Sequence, residues 1–120
     1  MASQLTWHGP DFVDNEPTVY LTFDDGPHPV ITRQAMEILG RFEVPATFFC
    51  VGENVERFPD VMEELRAKGH AIGNHSHAHE SGWSTSNFAY LKSFSKCQSV
   101  TRAAWFRPPY GRITRSQAEA

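Results

Sequence analysis

The sequence has no long apolar run, no block of basic charge and no cysteine pattern typical of a disulfide framework. Its most apolar stretch, residues 44–51, contains Pro45 and Thr47 and falls far short of the roughly 20 apolar residues that cross a bilayer. We therefore predict no transmembrane segment. Eleven Lys and Arg residues against fourteen Asp and Glu residues give a net charge of −3. Without clustered positive charge, nucleic acid is not an expected partner.

The chain contains two cysteines, Cys50 and Cys97. They form no CxxC pair, and we expect two buried free thiols. The first five residues lack the charged and apolar segments of a secretion signal, so the sequence leaves the compartment open. Apolar residues make up 40% of the 120 positions and aromatic residues 12%. This composition is typical of a folded domain, and the length fits one domain or less.

Strand and helix patterns alternate along the chain after a turn-rich beginning at residues 1–17, which we predict to be irregular. β-branched and apolar residues predict strands at 18–23, 46–51, 70–73 and 103–106. Apolar residues at helical spacing predict helices over 29–42, 54–68 and 85–99, with a break at Pro59 and a further helix beginning near 116. This alternation predicts an α/β fold with about four parallel strands, which is half of an eight-stranded (β/α) barrel.

The apolar positions also predict which helical faces are buried. In the first helix the predicted face consists of Ile31, Ala35, Ile38, Leu39 and Phe42. In the second it consists of Val55, Phe58, Met62 and Leu65. In the third it consists of Phe88, Leu91, Phe94 and Cys97.

Three of the four predicted strands end in polar clusters. These clusters are Asp24-Asp25-Gly26, the segment from His75 to His79, and Arg107-Pro108-Pro109-Tyr110-Gly111. In parallel α/β folds the reactive groups collect at the carboxyl ends of the strands. If the strands are parallel, the three clusters converge on one face.

The residue types in these clusters are those of a metal site. His75 and His79 are four positions apart, so one helical turn would place both imidazoles on the same side. When this spacing stands alone, a polar surface loop is the favoured explanation. One carboxylate of the Asp24-Asp25 pair would complete a three-ligand site with room for water, and the other would then be placed to take a proton. The alternative for this pair is a solvated connection between a strand and a turn.

The motifs resemble those of a known family. Residues 22–27 (TFDDGP), His75-Ser76-x-x-His79 and residues 106–111 (FRPPYG) are similar, in this order, to the first three motifs of the polysaccharide deacetylases. This family is also called the NodB homology domain or carbohydrate esterase family 4. The sequence at 46–52 and 69–74 is also similar to that of the family, and the resemblance covers about residues 18–115.

The resemblance implies a role for four of these side chains. Asp25, His75 and His79 would bind a divalent metal ion, most often Zn²⁺, with Co²⁺ or Ni²⁺ as alternatives. Asp24 would be the general base. A bound metal lowers the pKa of a water molecule to about 7 and polarises a carbonyl group, both of which hydrolysis of an amide requires.

The third motif supplies the remaining residues that the resemblance implies. Arg107 would pair with Asp24 and orient it, although a salt bridge that simply joins two loops is the alternative. The backbone N–H of Tyr110 would stabilise the oxyanion, and Ser76 would support the loop that carries the two histidines. The implied fold is a distorted (β/α) barrel, and the implied reaction removes N-acetyl groups from acetylated amino-sugar polymers or oligosaccharides such as chitin, chitooligosaccharides and peptidoglycan.

Two later motifs of the family do not occur in these 120 residues: an acidic segment with tryptophan, and a Leu-x-His segment whose histidine is the general acid. We therefore expect residues 1–120 to form a single, incomplete domain with weakened activity, and two half-barrels to associate as a homodimer. The alternatives are a non-catalytic remnant that binds metal or glycan, and a related hydrolase of small amides. Members of the family are often secreted or associated with the cell envelope.

Other residues near the motifs have weaker patterns. We expect His28 to lie at a helix start and His77 to point away from the two ligand histidines. Trp83 and Trp105 either stack on a sugar ring or pack in the core or at its rim.

Overall fold

A computed structural model describes residues 5–120 and has an α/β fold, which confirms the predicted class. Its centre is a parallel three-stranded sheet with the order β3-β4-β5. The strands are β3 (Thr22–Asp24), β4 (Thr47–Cys50) and β5 (Ala71–Asn74). The helices are α1 (Ile31–Arg41), α2 (Gly52–Arg57), α3 (Pro59–Ala67), α4 (Asn87–Thr101) and α5 (Arg115–Ala118). None of these helices is long and apolar enough to span a membrane.

The predicted fourth strand at 103–106 is reduced to one parallel bridge between Asn74 and Phe106. Asn74 donates its backbone N–H to the Trp105 carbonyl at 2.8 Å, and Arg107 donates to the Asn74 carbonyl at 3.0 Å. The segment is short because Arg102 ends α4 in the left-handed conformation and two prolines, which lack the N–H that a ladder needs, follow Arg107. The bridge still continues the parallel order by one position.

The turn-rich beginning contains a small hairpin where we predicted irregular chain. Strand β1 (Phe12–Val13) pairs antiparallel with β2 (Glu16–Pro17). The two residues between them, Asp14 and Asn15, both have positive φ, as the tightest hairpin turns require, and Asp and Asn tolerate this conformation. The first four residues of the predicted irregular segment lie outside the described part of the chain.

The core lies where α1, α2 and α3 pack around the sheet. Its buried members are Met36, Leu39, Ala46, Phe48, Cys50, Val55, Val61, Met62 and Leu65. Pro59 separates α2 from α3 as predicted, because proline fits the first turn of a helix but not its interior. Cys50 and Cys97 are buried free thiols, also as predicted. Burial raises the pKa of the Cys50 thiol to about 12, which keeps it protonated and unreactive.

Helix α1 buries a different face from the predicted one. Thr32, Met36 and Leu39 point inward, whereas Ile31, Ile38 and Phe42 are 65%, 54% and 74% exposed. The helix carries two apolar stripes, and residues 5–120 cover one of them. Spacing alone favoured the more apolar stripe, which is why the prediction was wrong for these three residues.

Helix α4 differs from its predicted face in a similar way. Its buried side chains are Tyr90, Ser93, Cys97 and Thr101. Phe88 is 79% exposed, and Phe94 lies half-buried with its ring edge-on to Phe106 at 5.1 Å between centroids. The helix turns a polar serine inward because Ser93 has partners beneath the histidine loop, as described below.

The observed face of α1 gives a stability prediction. Met36→Ala removes a side chain on the buried face of α1 that is 1% exposed and should lower the free energy of unfolding by about 2–5 kcal/mol. The control Ile38→Ala truncates an exposed side chain and should cost less than about 1 kcal/mol. Urea unfolding followed by circular dichroism measures both values. An equal loss in the two variants would contradict the observed face.

A buried hydroxyl in α4 makes the stability depend on pH. Tyr90 is 2% exposed, and its hydroxyl has no hydrogen-bond partner within residues 5–120. Burial, with a smaller contribution from the charge of Glu80, raises the pKa of Tyr90 to about 12. In the unfolded chain tyrosine titrates near 10, so the unfolded state loses its proton first. The stability that this difference provides is complete below about pH 10 and is lost as the pH rises toward about 12.

Tyr90→Phe should remove this dependence. Near pH 8 we expect a free energy of unfolding equal to the parent's or about 1 kcal/mol higher, because an unsatisfied hydroxyl is gone. Near pH 11 the parent should have lost about 1 kcal/mol more than the variant. Urea unfolding of both proteins at the two pH values checks this, and every other titrating group is common to both. Equal losses would contradict the role of Tyr90.

Candidate active site

The parallel sheet brings the three predicted clusters to one edge. Asp24 is the last residue of β3, His75 follows β5, and Arg107 follows the bridge at Phe106. Because all these segments run in the same direction, their carboxyl ends lie side by side. Contacts between residues 83 positions apart in the chain, such as that of Arg107 with Asp24, follow from this arrangement.

The predicted ligand residues Asp25, His75 and His79 lie together at this edge. His79 Nε2 is 2.9 Å from Asp25 Oδ1, and His75 Nε2 is 3.3 Å from the same oxygen. One ligand atom from each residue lies within 4.8 Å of the others. His75 is buried, His79 is half-buried, and the Asp25 side chain is 68% exposed. The site therefore combines the buried imidazole of His75 with the exposed carboxylate of Asp25 at its open rim.

The two histidines are not on a helix, so the spacing argument for a helical turn was wrong. Ser76 and His79 have positive φ, and the intervening chain forms a bend. Backbone groups hold this loop: the Ser76 N–H donates to Asn74 Oδ1 at 2.9 Å, and the Ser76 carbonyl accepts from the Gly52 N–H at 3.0 Å. The Ser76 hydroxyl has no partner within residues 5–120, so the support at this position comes from its backbone.

The chemistry of the donor set fits a cation. His75 Nδ1 lies 2.7 Å from the Arg107 carbonyl oxygen, which only accepts, so Nδ1 carries the proton. Burial lowers the pKa of His75 and outweighs the hydrogen bond to Arg107, so the ring is neutral and Nε2 presents a lone pair to Asp25. Two acceptor atoms that face each other are unfavourable unless a cation lies between them. Ligand histidines commonly donate their second N–H to a carbonyl in this way.

Asp24 and Arg107 form an ion pair beside the ligand residues. Arg107 Nη1 donates to Asp24 Oδ1 at 2.7 Å and to Thr22 Oγ1 at 3.0 Å. The guanidinium lies over the Phe49 ring, 4.0 Å from its centroid. The ring is in turn packed on Gly73, where a Cβ atom would overlap it. This stack fixes the guanidinium, and through it one oxygen of Asp24.

Tyr110 lies at the third side of the site. Its ring is edge-on to His79 at 4.8 Å between centroids, and its φ is 59°. In the described part of the chain, the Tyr110 N–H makes no hydrogen bond. Non-glycine residues at positive φ cluster at functional sites, where the surroundings hold the strain. The free N–H is available to an acceptor from outside the protein.

Sequence reasoning missed the residues that hold the histidine loop from behind. Asn74 is fully buried, donates to the Phe94 carbonyl and to Gln98, and accepts from Ser76. Ser93 accepts from the His77 N–H at 2.9 Å and donates to Glu80 at 2.7 Å. Burial pushes the pKa of Glu80 up, but hydrogen bonds led by that of Ser93 outweigh burial and hold the pKa below its usual value. No local pattern in the sequence marks these residues, because their contacts join segments that are distant in the chain.

Four other side chains follow their predictions or leave them open. His77 points away from Asp25, toward Glu56, whose carboxylate is 3.5 Å from His77 Nε2. His28 Nδ1 accepts from the backbone N–H groups of residues 30 and 31 at the start of α1, as predicted. Trp83 and Trp105 are 69% and 57% exposed, so neither packs in the core.

Comparison with known proteins identifies the family of the chain. The family model for polysaccharide deacetylase matches residues 13–120. The chain is 37% identical over 109 residues to a peptidoglycan-N-acetylglucosamine deacetylase of Bacillus cereus, covering 86% of this chain and 40% of that protein. It is 44% identical over 63 residues to a chitooligosaccharide deacetylase of Sinorhizobium fredii, covering 52% of this chain and 29% of that protein.

A solved structure shows the same fold. The peptidoglycan deacetylase PdaC of Bacillus subtilis superposes with a TM-score of 0.80 and 32% identity, over 83% of this chain and 52% of that one. The chain thus spans about half the length of this relative, or less for the two others. Because the family model covers the described sheet and all three polar clusters, the chain belongs to the polysaccharide deacetylase family.

Proposed function

We propose that this chain carries the metal-binding and base half of a deacetylase that hydrolyses N-acetyl groups of amino-sugar polymers or oligosaccharides. The observation that carries this proposal is the meeting of Asp25, His75 and His79, with their ligand atoms within 4.8 Å of one another. Asp24, Arg107 and Tyr110 surround these three residues. Relatives named for peptidoglycan and for chitooligosaccharides support the substrate class.

The residues divide the chemical work between them. Asp25, His75 and His79 would hold a divalent ion, most often Zn²⁺, which supplies a water activated near neutral pH and polarises the amide carbonyl. Asp24 accepts a proton from the attacking water through the oxygen that Arg107 leaves free. Arg107 holds that carboxylate in one orientation. The Tyr110 N–H donates to the carbonyl oxygen as its charge grows.

The shape of the site suits a polymer. The Asp25 side chain is 68% exposed and the Asp24 side chain 38% exposed, so the reacting groups lie at an open rim. An acetamide on a long sugar chain can reach such a rim without threading the chain through the protein. A small amide gains less from an open site, because it buries little of its own surface there.

Two other hypotheses from the sequence analysis, binding without catalysis and association of two chains, also apply to this chain. Metal or glycan binding without catalysis follows if the proton donor for the leaving amine, which the resemblance assigns to a later motif, is missing. Association of two half-barrels as a homodimer stays a prediction. The uncovered apolar side chains of Val19, Leu21 and Phe42, each at least 45% exposed, are what such association would bury.

The ligand assignment predicts the outcome of metal titration. The parent should bind one Zn²⁺ per chain, and Asp25→Ala, His75→Ala and His79→Ala should each weaken binding at least about tenfold, since each removes one of three ligands. Isothermal titration calorimetry gives the stoichiometry and affinity. His8→Ala is the control, because His8 is exposed and its ring nitrogen contacts only the neighbouring Gly9 carbonyl within residues 5–120. Unchanged zinc binding in the three ligand variants would overturn the assignment.

The role of Asp24 is separable from metal binding. Asp24→Asn keeps the size of the side chain but removes its basicity, so acetate release from chitotetraose by the zinc-loaded chain should fall by about 10²–10⁴-fold. Zinc affinity should stay within about twofold of the parent's, because Asp24 is not among the three ligands. Metal binding by a parent that releases no acetate would favour the non-catalytic alternative. Undiminished turnover by the Asn variant would rule out Asp24 as the base.

A further inference from the structure

An exposed tryptophan next to the site is held on a rigid support. Trp83 is 69% exposed and lies in a single 3-10 turn, Gly82–Ser84. The Gly82 N–H donates to the Arg112 carbonyl at 2.9 Å. A Cβ atom at Gly82 would collide with Gln117 and with the backbone at Arg112, so this position requires glycine. The turn is therefore fastened directly to the chain that follows the third motif.

Gln117 also anchors the turn that carries Trp83. It is 4% exposed, and its Nε2 donates to the Gly82 carbonyl at 2.9 Å and to the Thr85 carbonyl at 3.2 Å. Its Oε1 accepts from the Thr114 N–H at 2.9 Å within the capping box of α5. One buried amide side chain thus holds both ends of the turn that presents Trp83. An aromatic side chain whose backbone is held in place loses less conformational entropy when a ligand binds to it.

Arg112 links Trp83 to the metal-binding residues. Its guanidinium carbon lies 5.2 Å from the Trp83 ring centroid and 5.8 Å from that of Tyr110. Tyr110 in turn contacts His79. The three side chains Trp83, Arg112 and Tyr110, here called the aromatic platform, form a continuous surface that begins at a proposed ligand residue.

The charge on this platform has no partner of its own. Arg107 pairs with Asp24, and Arg115 pairs with Glu119 at 2.7 Å. Within residues 5–120, by contrast, no carboxylate pairs with Arg112, which is exposed. An arginine that lies beside two aromatic rings and has no paired carboxylate can form paired hydrogen bonds with a planar anion.

We propose that the aromatic platform is a subsite for a sugar residue that bears a carboxylate, next to the sugar whose acetamide reaches Asp25, His75 and His79. The apolar face of a pyranose ring would lie on Trp83, and Arg112 would bind the carboxylate. This inference rests on the proposed function and narrows it: the preferred substrate is an acidic amino-sugar chain, such as a peptidoglycan glycan strand whose muramic acid carboxylates carry no peptide, rather than neutral chitin.

The test compares two tetrasaccharides of equal length that differ in charge. One is chitotetraose, and the other alternates N-acetylglucosamine with N-acetylmuramic acid and carries no peptide. Their dissociation constants are measured by calorimetry with the zinc-loaded chain. We expect the parent to bind the acidic ligand more tightly, and Arg112→Gln to weaken that binding about five- to tenfold while changing binding of chitotetraose less than about twofold.

Two further variants separate stacking from charge. Trp83→Ala should weaken both ligands by a similar factor of about five, because both present the same ring face. Arg115→Gln removes an arginine that is already paired and should change neither affinity. Thermal unfolding of each variant verifies that the fold is kept. Raising the salt concentration should reduce the preference for the acidic ligand, since the contact of Arg112 lies at the surface.

The outcomes distinguish this inference from the proposed function. Equal loss for both ligands in Arg112→Gln, or no loss for either, overturns the carboxylate subsite even if the parent releases acetate. A parent that binds neither tetrasaccharide overturns it as well. Charge selectivity that disappears in Arg112→Gln supports the subsite even if no acetate is released, and in that case the deacetylase function alone fails.

Discussion

The site depends on the parallel pairing of three short strands. Strands β3, β4 and β5 contribute only three or four residues each, yet their common direction places the ends of distant chain segments side by side. The bridge at Phe106 extends the same order by one residue pair and brings in Arg107. A shift of any pairing by one residue would turn the terminal side chains to the opposite face, and the acidic and imidazole groups would no longer meet.

Arg107 ties the outer parts of this arrangement together. Its side chain holds Asp24, its carbonyl fixes the proton on His75, and its guanidinium rests on Phe49. One residue therefore sets the orientation of the proposed base and the tautomer of a proposed ligand. Asp25, Ser76, His79 and Tyr110 all have positive φ, which costs energy in residues other than glycine. The buried Asn74 and the hydrogen bonds of Ser93 hold the histidine loop in this conformation. Asn54 donates to the Asp25 carbonyl at 2.8 Å.

The sequence was sufficient for the fold class and for which side chains lie together at the edge of the sheet, but not for the contacts that support them. Alternation of elements predicted the parallel sheet, and clusters at strand ends predicted which residues would meet. Spacing could not show which apolar stripe of α1 is buried, because Ile38 and Leu39 are equally suited to a core. The packing of neighbouring elements against the helix decides which of the two is covered. It also suggested a helical turn for His75 and His79, where left-handed residues make the loop instead. Asn74 and Ser93 act through tertiary contacts that no local pattern marks.

The groups proposed for the reaction and those proposed for specificity lie in different parts of this molecule. The groups proposed for chemistry lie directly at the ends of the strands, where the sheet fixes them and where a small displacement would be costly to catalysis. The aromatic platform lies one layer farther out, on two single-turn elements that Gln117 and Gly82 fasten to each other. Substitution of Trp83 or Arg112 leaves the strand pairing and the ligand residues untouched. A change in the proposed sugar-binding residues would therefore not require a change in the proposed catalytic site.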